Sequence, residues 1–519
     1  MPASHTNNTT LSMNRIRVLN ALARRSSSNL AAKANCPAPP TARLAVPKYS
    51  AGLNACLVPG TFYTNCGMAG ARGRSSARTY AAASSSSAPS STLLPGGKNV
   101  VETLRERGLI QDVTSPELET LSSTQSLKVY CGFDPTAESL HLGNLLGIIV
   151  LSWFQRHGHT PVALLGGATG RVGDPSGKSA ERPVMSEETI ERNTRGIEET
   201  LRSLLTVPLD GGAAPAPEIV NNLSWLGGMG LLTFLRDVGK YARVGTMINK
   251  ESVRKRMESE SGISYTEFSY MLLQANDFVA LHDRDGCELQ VGGSDQWGNI
   301  TAGIDMIRRK TGAHAHGLTV PLVTRSDGAK FGKTADGAVW LSADRTLPYE
   351  FHQYWMRTDD RDVERFLLQM TLLPVDRVVE VMAEHVQAPE QRSAQRVLAD
   401  EVTALIHGSG EVRRANLAAG ALFGGSELDG EALEALRGIV PETELAADTL
   451  AGEEPVVDLL VTTGVCSSKG DARRTIDQGG IRLNGEKIDD AATAVTPVDG
   501  RFVLIQKGKK QRHLAVLDA

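Results

Sequence analysis

The sequence predicts an α/β protein in which a doubly wound parallel sheet is followed by a small α-helical domain and a C-terminal α+β module. Three observations support this prediction. Strand and helix patterns alternate between residues 128 and 341, helical periodicity dominates from 348 to about 438, and a helix–helix–strand pattern follows residue 455. Strands separated by helices pair in parallel, and the helices cover both faces of the sheet.

The first strand–helix–strand unit is the clearest of these patterns. The apolar run Lys128 to Phe133 predicts a strand, and His141 to Arg156 has apolar residues at helical spacing. Gly158 ends that helix, and Pro161 to Leu165 forms the next strand. Later strands are predicted at Gln290-Val291 and at Leu318 to Val323. Ligands of such sheets bind at the carboxyl ends of the strands, so polar residues just after these strands are site candidates.

The rest of the chain is predicted to form three parts. Residues 96–342 hold the sheet, and residues 343–440 form the helical domain, with periodic segments such as Ala394 to Ile406. Residues 441–454 are acidic and are predicted to be a linker.

The C-terminal module is predicted over residues 455–519. A helix from Val456 to Thr463 is followed by Ser467 or Ser468 as the N-cap of a second helix. The strand Ile481 to Leu483 then reaches an Asn484-Gly485 turn, and two more strands flank residues 507–510.

Residues 1–95 are predicted to be an organellar transit peptide and are excluded from the fold. Before Glu102 the chain carries eleven Lys and Arg residues and no Asp or Glu, and this segment is rich in Ser and Ala. That composition is typical of import signals. The mitochondrial matrix is the expected location and the plastid stroma is the alternative. A disordered tail with no targeting role is the other interpretation.

Two classes of protein are disfavoured by composition. The six cysteines lack paired spacing, which argues against a disulfide scaffold and a zinc site, and no protein-bound metal is expected. No window approaches 18 uninterrupted apolar residues, so membrane insertion is not expected.

Two short segments indicate nucleotide chemistry. His141-Leu142-Gly143-Asn144 opens the first helix, and the free N–H groups at a helix N-terminus attract anions. Lys330-Phe331-Gly332-Lys333-Thr334 places two lysines on a predicted loop. Such a pair suits a triphosphate, because the leaving pyrophosphate gains charge in the transition state.

These two segments resemble the nucleotide signatures of class I aminoacyl-tRNA synthetases. The stretches 166–178, 268–278 and 292–303 resemble bacterial-type tyrosyl-tRNA synthetases in particular, and the resemblance extends over roughly residues 98–519. It implies a Rossmann-like catalytic domain, ATP with Mg²⁺, L-tyrosine and tRNA(Tyr) as ligands, and a homodimer formed through the inserted segment between Ser186 and Lys255. The expected activity is formation of tyrosyl-adenylate and transfer of tyrosine to the tRNA.

The resemblance also implies roles for individual residues. The catalytic set is Thr136, His141, Lys178, Arg182, Lys330, Lys333 and Thr334. The tyrosine-binding set is Tyr130, Asp174, Tyr270, Gln274, Asp277 and Gln296. The ATP-binding set is Gly132, Asp134, His141, Gly143, Asn144, Gly292, Asp295, Lys330, Phe331, Gly332, Lys333 and Thr334. Asn144 departs from the histidine usual at its position.

One part of the tyrosine pocket also follows from spacing. Tyr270 and Gln274 are four residues apart on a predicted helix and share a face, and Asp277 follows Gln274 at i+3. By resemblance, Tyr130 and Asp277 bind the tyrosine hydroxyl from two sides. Tyr270, Gln274 and Asp174 receive the ammonium group.

The C-terminal pattern resembles a small RNA-binding module first seen in a ribosomal small-subunit protein. Basic residues cluster on its second helix and on its last hairpin, where Arg512 follows the lysines. The predicted tRNA-binding residues are Lys469, Arg473, Arg474, Lys507, Lys509 and Lys510.

Two other functions are compatible with parts of the sequence. A tryptophan-activating sister enzyme would need a pocket for an indole, against which Asp277 and Tyr130 argue. A structural RNA-binding protein, such as an intron-splicing helper, would not need the intact residues His141, Lys330, Lys333 and Asp277, although splicing as a second role stays open.

Overall fold

The computed structural model describes residues 97–176, 185–205, 214–260, 262–328, 331–334, 337–424, 428–450 and 452–518. The predicted transit peptide, residues 1–95, therefore lies outside the described residues. Among the described residues, no helix is both long and apolar enough to cross a membrane.

The larger sheet has six strands in the order β1-β6-β5-β2-β3-β4. Only β1 is antiparallel to its neighbour; the other pairs are parallel. The strands are β1 (Asp112–Val113), β2 (Lys128–Phe133), β3 (Thr160–Leu165), β4 (Glu218–Asn221), β5 (Leu289–Gly293) and β6 (His316–Val320). The chain order reverses between β2 and β5, which is where a sheet of this type opens a crevice for ligands.

Ten helices surround this sheet in the described residues. They are α1 (Val100–Glu106), α2 (Glu117–Thr124), α3 (Leu142–Arg156), α4 (Glu187–Leu205), α5 (Leu223–Leu226), α6 (Leu231–Asp237), α7 (Val244–Ile248), α8 (Glu251–Met257), α9 (Tyr265–Asp285) and α10 (Trp297–Thr311). Alternate residues of β2 enter different cores. Val129 and Cys131 pack in the core with α3, and Tyr130 packs in the core with α9 and α10. Both faces of the sheet are therefore covered, as predicted for a doubly wound fold.

Two strand predictions differ from the structure. The last strand of the sheet covers His316–Val320 rather than 318–323, because Pro321 has no N–H for the ladder and Leu322 is exposed. The edge strand β4 was not predicted from the sequence. Its sequence is Glu-Ile-Val-Asn, in which apolar and polar residues do not alternate. All four residues are half-buried.

The helical region after the sheet agrees with the prediction. Its helices are α11 (Pro348–Met356), α12 (Asp360–Met370), α13 (Val375–Gln387), α14 (Ser393–His407), α15 (Ser409–Phe423) and α16 (Gly430–Glu434). The strands β7 (Lys333–Thr334) and β8 (Gly337–Ala338) form a small hairpin before them.

The C-terminal sheet has five strands in the order β11-β10-β12-β13-β9. Its elements are β9 (Glu442–Leu445), α17 (Pro455–Thr462), α18 (Lys469–Asp477), β10 (Ile481–Leu483), β11 (Glu486–Lys487), β12 (Phe502–Lys507) and β13 (Gln511–Leu517). Ser468 caps α18 by accepting a hydrogen bond from the Asp471 N–H. Asn484 and Gly485 both have positive φ, 47° and 85°, as the predicted tight turn requires.

The predicted linker, residues 441–454, is wrong in its first part. Glu442–Leu445 is strand β9, which pairs in parallel with β13. Leu445 is buried in the core of the module, although acidic residues precede it. A single apolar side chain among these four residues was too sparse a pattern to mark a strand in the sequence.

We expect Leu445→Ala to destabilise the C-terminal module by about 2–5 kcal/mol, because a buried leucine is truncated in a packed core. Glu444→Ala is the matched control, since Glu444 is exposed and its ion pair with Arg437 should contribute under about 1 kcal/mol. Thermal unfolding of the full chain measures both. Equal, negligible effects would show that β9 does not belong to the module.

Candidate active site

The candidate site lies at the carboxyl ends of β2 and β5, where the strand order reverses. Strand β2 supplies Tyr130 and Gly132, and Asp134 follows directly after it. Helix α9 crosses this edge and supplies Tyr270, Gln274 and Asp277.

Asp277 is a carboxyl group buried at the bottom of the site, only 1% exposed. Its Oδ1 accepts a hydrogen bond from the Trp225 indole N–H at 2.8 Å, and its Oδ2 accepts one from the Asn222 amide at 3.0 Å. Both oxygens are thus held by N–H donors, which favours a fixed orientation of the carboxyl group.

Burial raises the pKa of Asp277 to about 7, although the hydrogen bonds from Asn222 and Trp225 oppose the shift. The folded-state pKa is therefore above the unfolded one. Stability contributed by this group is greatest below about pH 4 and falls as the pH rises to 7, by about 4 kcal/mol in total. The buried Asp277 carboxyl group lowers the stability of the fold at neutral pH, and its hydrogen-bond donors are already in position. Such a group is a candidate for ligand recognition.

Tyr130 lies close to this carboxyl group and is also buried. Its ring packs edge-on against Phe278, with the ring centroids 5.1 Å apart. Its hydroxyl has no hydrogen-bond partner among the described residues. Burial, with Asp277 as the next cause, raises the pKa of this phenol well above its usual value, so the hydroxyl keeps its proton. An unsatisfied buried hydroxyl next to a carboxyl group fits a ligand that supplies a polar atom between them.

Gln290 carries a second unsatisfied polar atom nearby. It pairs with Tyr130 in the register of β2 and β5, is 3% exposed, and its side-chain oxygen has no partner among the described residues. It was not among the site residues predicted from the sequence.

A chain of hydrogen bonds connects Asp277 to Asp134. Asn222 donates to Thr169 Oγ1 at 2.9 Å, and Thr169 donates to Asp134 Oδ1 at 2.7 Å. The Tyr270 hydroxyl donates to Asp134 Oδ2 at 2.8 Å. Burial and the Asp134 charge raise the pKa of Tyr270, so this donor also stays protonated. Asp134 is thereby fixed at the mouth of the pocket.

A second polar group lies on the other side. Gln296 donates to Asp174 Oδ2 at 2.8 Å, and Gln274 donates to the Gln296 side-chain oxygen at 3.2 Å. Asn299 donates to both glutamine side chains, at 3.0 and 3.1 Å. The predicted residues Asp174, Gln274 and Gln296 are thus brought together, and Asn299 holds them.

Glycines leave room at the side of the site where nucleotide binding is predicted. A Cβ added at Gly132 would meet nothing within 4 Å, so this strand end faces open space. A Cβ at Gly293 would lie 2.6 Å from Asp295 Oδ1, and one at Gly292 would lie 3.0 Å from Gln296 Cβ. Gly292 and Gly293 therefore let the short 3₁₀ turn with Asp295 fold back closely on the end of β5.

His141 is the N-cap of α3 rather than its first helical residue. Its Nδ1 accepts the Gly143 N–H at 3.0 Å, and the Asn144 side-chain oxygen accepts the His141 N–H at 3.1 Å. Since Nδ1 accepts, a neutral imidazole carries its proton on Nε2 and can donate from there. Asn144 thus completes a capping box at the start of α3. Thr136 is exposed just before this helix.

The lysine-bearing segment lies against the same helix end. A Cβ at Gly332, which has φ of 70°, would lie 3.1 Å from Leu142 Cβ, and the Gly332 N–H donates to the Tyr354 hydroxyl at 3.0 Å. Phe331 packs against Trp355 and Phe366. Lys333 is exposed on β7, next to Thr334. Lys178, Arg182 and Lys330 lie outside the described residues.

The predicted tRNA-binding residues lie on the surface of the C-terminal module, and three of the six are in ion pairs. Lys469 pairs with Asp458 at 2.8 Å and Arg473 with Glu454 at 2.5 Å. Lys507 donates to the Val465 carbonyl at 2.9 Å and lies 3.6 Å from Asp471. Arg474, Lys509 and Lys510 make no ion pair with a described residue. The helix cluster is therefore less available to phosphates than its sequence suggested.

The residues that hold the predicted ones in place were not themselves predicted from the sequence. These are Thr169, Asn222, Trp225 and Asn299, and Gln290, which lies beside Tyr130 in the sheet, was not predicted either. Asn222 directly follows β4, the strand that was not predicted, so the rule of polar residues after strands could have found it. Among the described residues, no group of three or more His, Cys, Asp or Glu could hold a metal ion.

Comparison with known proteins gives the same family over both parts of the chain. Residues 122–424 match the model of class I tRNA synthetases (W and Y), and residues 433–515 match the tyrosine–tRNA ligase C-terminal domain. The second match begins before β9, in agreement with the corrected start of the module.

Individual relatives support this assignment. The chain is 47% identical to tyrosine–tRNA ligase of Bacillus caldotenax over 416 residues, 79% of this chain and 98% of that protein. It is 48% identical to the chloroplastic/mitochondrial tyrosine–tRNA ligase of Arabidopsis thaliana over 430 residues, 80% and 83% of the two chains. A C-terminally truncated mitochondrial tyrosyl-tRNA synthetase of Aspergillus nidulans superposes with a TM-score of 0.58 at 35% identity, covering 63% of this chain and 94% of that one. The chain belongs to the tyrosine–tRNA ligase family of class I aminoacyl-tRNA synthetases.

Proposed function

We propose that this chain activates L-tyrosine with ATP, forming tyrosyl-adenylate and pyrophosphate, and then transfers tyrosine to tRNA(Tyr) in an organelle. The single observation that supports tyrosine as the amino acid is the pair formed by the unsatisfied Tyr130 hydroxyl and the buried Asp277 carboxyl group. A phenolic hydroxyl between them donates to Asp277 and accepts from Tyr130, which satisfies both. An indole offers one N–H donor and no acceptor, so it would leave the Tyr130 hydroxyl unpaired.

Tyrosine's ammonium group is proposed to bind at the cluster of Asp174, Gln274, Gln296 and Tyr270. An ammonium group has three donors, and this cluster offers one carboxylate with several side-chain oxygens. With the phenol and the ammonium group fixed at opposite ends, the carboxylate of the substrate is directed toward Gly132 and α3. That direction leads to the open space at the nucleotide side.

Activation needs alignment rather than a general base, because a carboxylate attacks the α-phosphorus of ATP directly. His141 is proposed to donate from Nε2 to a phosphate oxygen, helped by the N-terminus of α3 and by Thr136. Lys333 with Lys330, Thr334, Lys178 and Arg182 is proposed to neutralise the leaving pyrophosphate. Gly143, Asn144, Phe331 and Gly332 shape the contact between the two segments, and Asp134, Gly292 and Asp295 form the side for the adenosine. Mg²⁺ is proposed to arrive with the triphosphate.

tRNA binding is proposed for the helical region and the C-terminal module. The exposed basic residues Arg474, Lys509 and Lys510 have no ion pair with a described residue and are the best placed for phosphates. Lys469, Arg473 and Lys507 would first have to leave their present partners.

A homodimer is proposed through the segment between β4 and α9. Six large apolar side chains of the described residues are exposed here, which is unusual for a surface that stays in water. They are Leu231, Leu232, Leu235, Val244, Ile248 and Met257. The same segment supplies Trp225 to the tyrosine pocket, so pairing of two chains would also brace the donor to Asp277.

An organelle is proposed as the site of action, with the mitochondrial matrix preferred and the plastid stroma as the alternative. The support is the basic, acid-free N-terminal segment together with relatives whose names are chloroplastic/mitochondrial or mitochondrial. The N-terminal segment is proposed to act as the import signal.

We expect Tyr130→Phe to raise the KM for tyrosine about tenfold, because one hydrogen bond to the substrate hydroxyl is removed. Its free energy of unfolding should stay the same or increase by about 1–3 kcal/mol, because an unsatisfied buried hydroxyl is removed. ATP–pyrophosphate exchange and denaturant unfolding measure the two effects. Tyr349→Phe, outside the pocket, is the control. Loss of stability in Tyr130→Phe with an unchanged KM would contradict the role.

The KM for tyrosine should depend on the ionisation of Asp277. Because burial raises its pKa to about 7, the carboxyl group is neutral at lower pH and no longer attracts the phenol hydrogen. We expect KM for tyrosine to rise about tenfold per pH unit below 7 and to be flat above it. The KM for ATP is the internal control, and Asp277→Asn should abolish the pH dependence. A pH-independent KM in the wild type would exclude this form of recognition.

Lys333→Ala should lower the rate of tyrosine activation by about 100-fold and leave the Kd for tyrosine unchanged, because its charge is needed only as pyrophosphate leaves. Lys487→Ala removes an exposed lysine from the C-terminal module and is the control. Single-turnover adenylate formation and equilibrium tyrosine binding separate the two quantities. An intact activation rate would show that the 330–334 segment has been assigned wrongly.

A further inference from the structure

A cleft of about 610 Å³ lies between the C-terminal end of α15 and the sheet of the C-terminal module. None of its described lining residues is acidic. Those with side chains of use to a ligand are Phe423, Arg482, Asn484, Gln506 and Arg512. None of the roles proposed above uses this cleft.

Three of these side chains form one row across the sheet. Arg482 on β10 pairs in register with Gln506 on β12, and Gln506 pairs with Arg512 on β13. Residues opposite each other in antiparallel strands present their side chains on the same face. The two arginines flank the glutamine across three strands, so their backbones are about 10 Å apart.

The row begins where the apolar cover of the sheet ends. On the same face Leu504 and Leu514 are buried against Ala421, Leu433 and other residues of α15 and α16. Gln506 lies two residues after Leu504 on β12, and Arg512 lies two residues before Leu514 on β13. The same face of the sheet therefore changes from apolar to polar at this row. The polar row is therefore the uncovered end of an otherwise packed surface, open to the cleft.

Neither arginine is neutralised by a described residue. Arg482 donates to the Gly485 carbonyl at 3.0 Å, and Arg512 donates to the carbonyls of Lys509 and Gln511 at 3.3 Å. These contacts leave further N–H donors on each guanidinium group. The basic residues of α18 differ, because two of them are paired with carboxylates.

The facing wall carries an exposed aromatic ring. Phe423 is the last residue of α15 and is 76% exposed, although Ala421 two residues before it is buried. An exposed phenyl ring beside two unpaired guanidinium groups and an amide matches the chemistry of single-stranded nucleic acid. Bases stack on aromatic rings, and arginines bind phosphates.

We propose that this cleft binds an unstacked nucleotide of the tRNA, with the base on Phe423 and its neighbouring phosphates between Arg482 and Arg512. The inference rests on the proposed function, since it names the part of the protein that meets a single-stranded segment of that substrate. Gln506 lies between the arginines and offers an amide to the base or ribose edge.

Steady-state aminoacylation of an unmodified tRNA(Tyr) transcript tests the proposal with the full chain. We expect Phe423→Ala to raise the KM for tRNA about tenfold and Phe423→Trp to keep it near wild type, because stacking needs an aromatic surface. The double variant Arg482→Gln/Arg512→Gln should raise KM by at least about tenfold. It should also reduce the slope of log KM against log salt by about 0.7 for each phosphate that the variant no longer binds.

The matched control is Arg501→Gln/Lys487→Gln, which removes two positive charges from the same module outside the cleft lining. Its KM should change less than about twofold. Tyrosine-dependent ATP–pyrophosphate exchange without tRNA should be unchanged in every variant, because the cleft is separate from the activation site.

Distinct results would overturn the proposal or parts of it. If Phe423→Ala and the arginine double variant behave as the control does, the cleft does not bind tRNA, and a protein partner or no partner would fit it. If only the arginine variant is affected, phosphates are bound but no base stacks. Absence of tyrosine-dependent exchange in the wild type would instead refute the proposed function, which separates the two failures.

Discussion

The buried carboxyl group of Asp277 is the constraint on which the rest of the site depends. Burying it is costly, and the structure offsets part of the cost with the Trp225 indole and the Asn222 amide. These donors lie in the segment after β4, so the hydrogen bonds join that segment to α9. The network continues through Thr169 to Asp134 and Tyr270. Hydrogen bonds therefore connect the bottom of the pocket to Asp134 at its mouth.

Backbone contacts bring together the two segments that are predicted to bind the nucleotide. The Leu142 N–H donates to the Val339 carbonyl at 3.0 Å, which ties the start of α3 to the chain just after the lysine-bearing segment. Gly332 closes the contact because it has no side chain to separate the two segments. Segments nearly two hundred residues apart in the chain thus become one surface. Lys333 stays exposed on it, so its charge is available to a substrate without a competing ion pair from a described residue.

Most of the fold followed from the sequence because its signals are local. The strand Lys128–Phe133 and the helix after His141 are long apolar patterns with clear ends, and both were predicted within one residue. The strands β4 and β9 were missed because both are only four residues long and neither shows an alternation of apolar and polar residues. They are strands because of the neighbours they pair with, and that information is not local.

The same distinction applies to the site. Tyr270, Gln274 and Asp277 share one helix, and their common face could be read from spacing, whereas the roles assigned to them and to the other site residues remain predictions. Trp225 could not be found, since its importance lies in a contact with Asp277 more than fifty residues away, and Asn222 could have been found only if β4 had been recognised. The ion pairs of Lys469 and Arg473 were equally hidden, because a cluster of charges in sequence does not show which of them are paired.

Amino-acid-dependent ATP–pyrophosphate exchange, with tyrosine, tryptophan and phenylalanine offered in turn to the wild-type chain, tests the central claim most directly. The paired hydroxyl and carboxyl groups at the bottom of the pocket predict exchange with tyrosine alone. Phenylalanine would leave the Tyr130 hydroxyl unpaired and would give Asp277 no hydrogen bond, whereas tryptophan could donate to Asp277 but would leave the Tyr130 hydroxyl unpaired. Exchange with phenylalanine at a rate close to that with tyrosine would contradict the account, because the buried polar pair would then have no part in selecting the substrate.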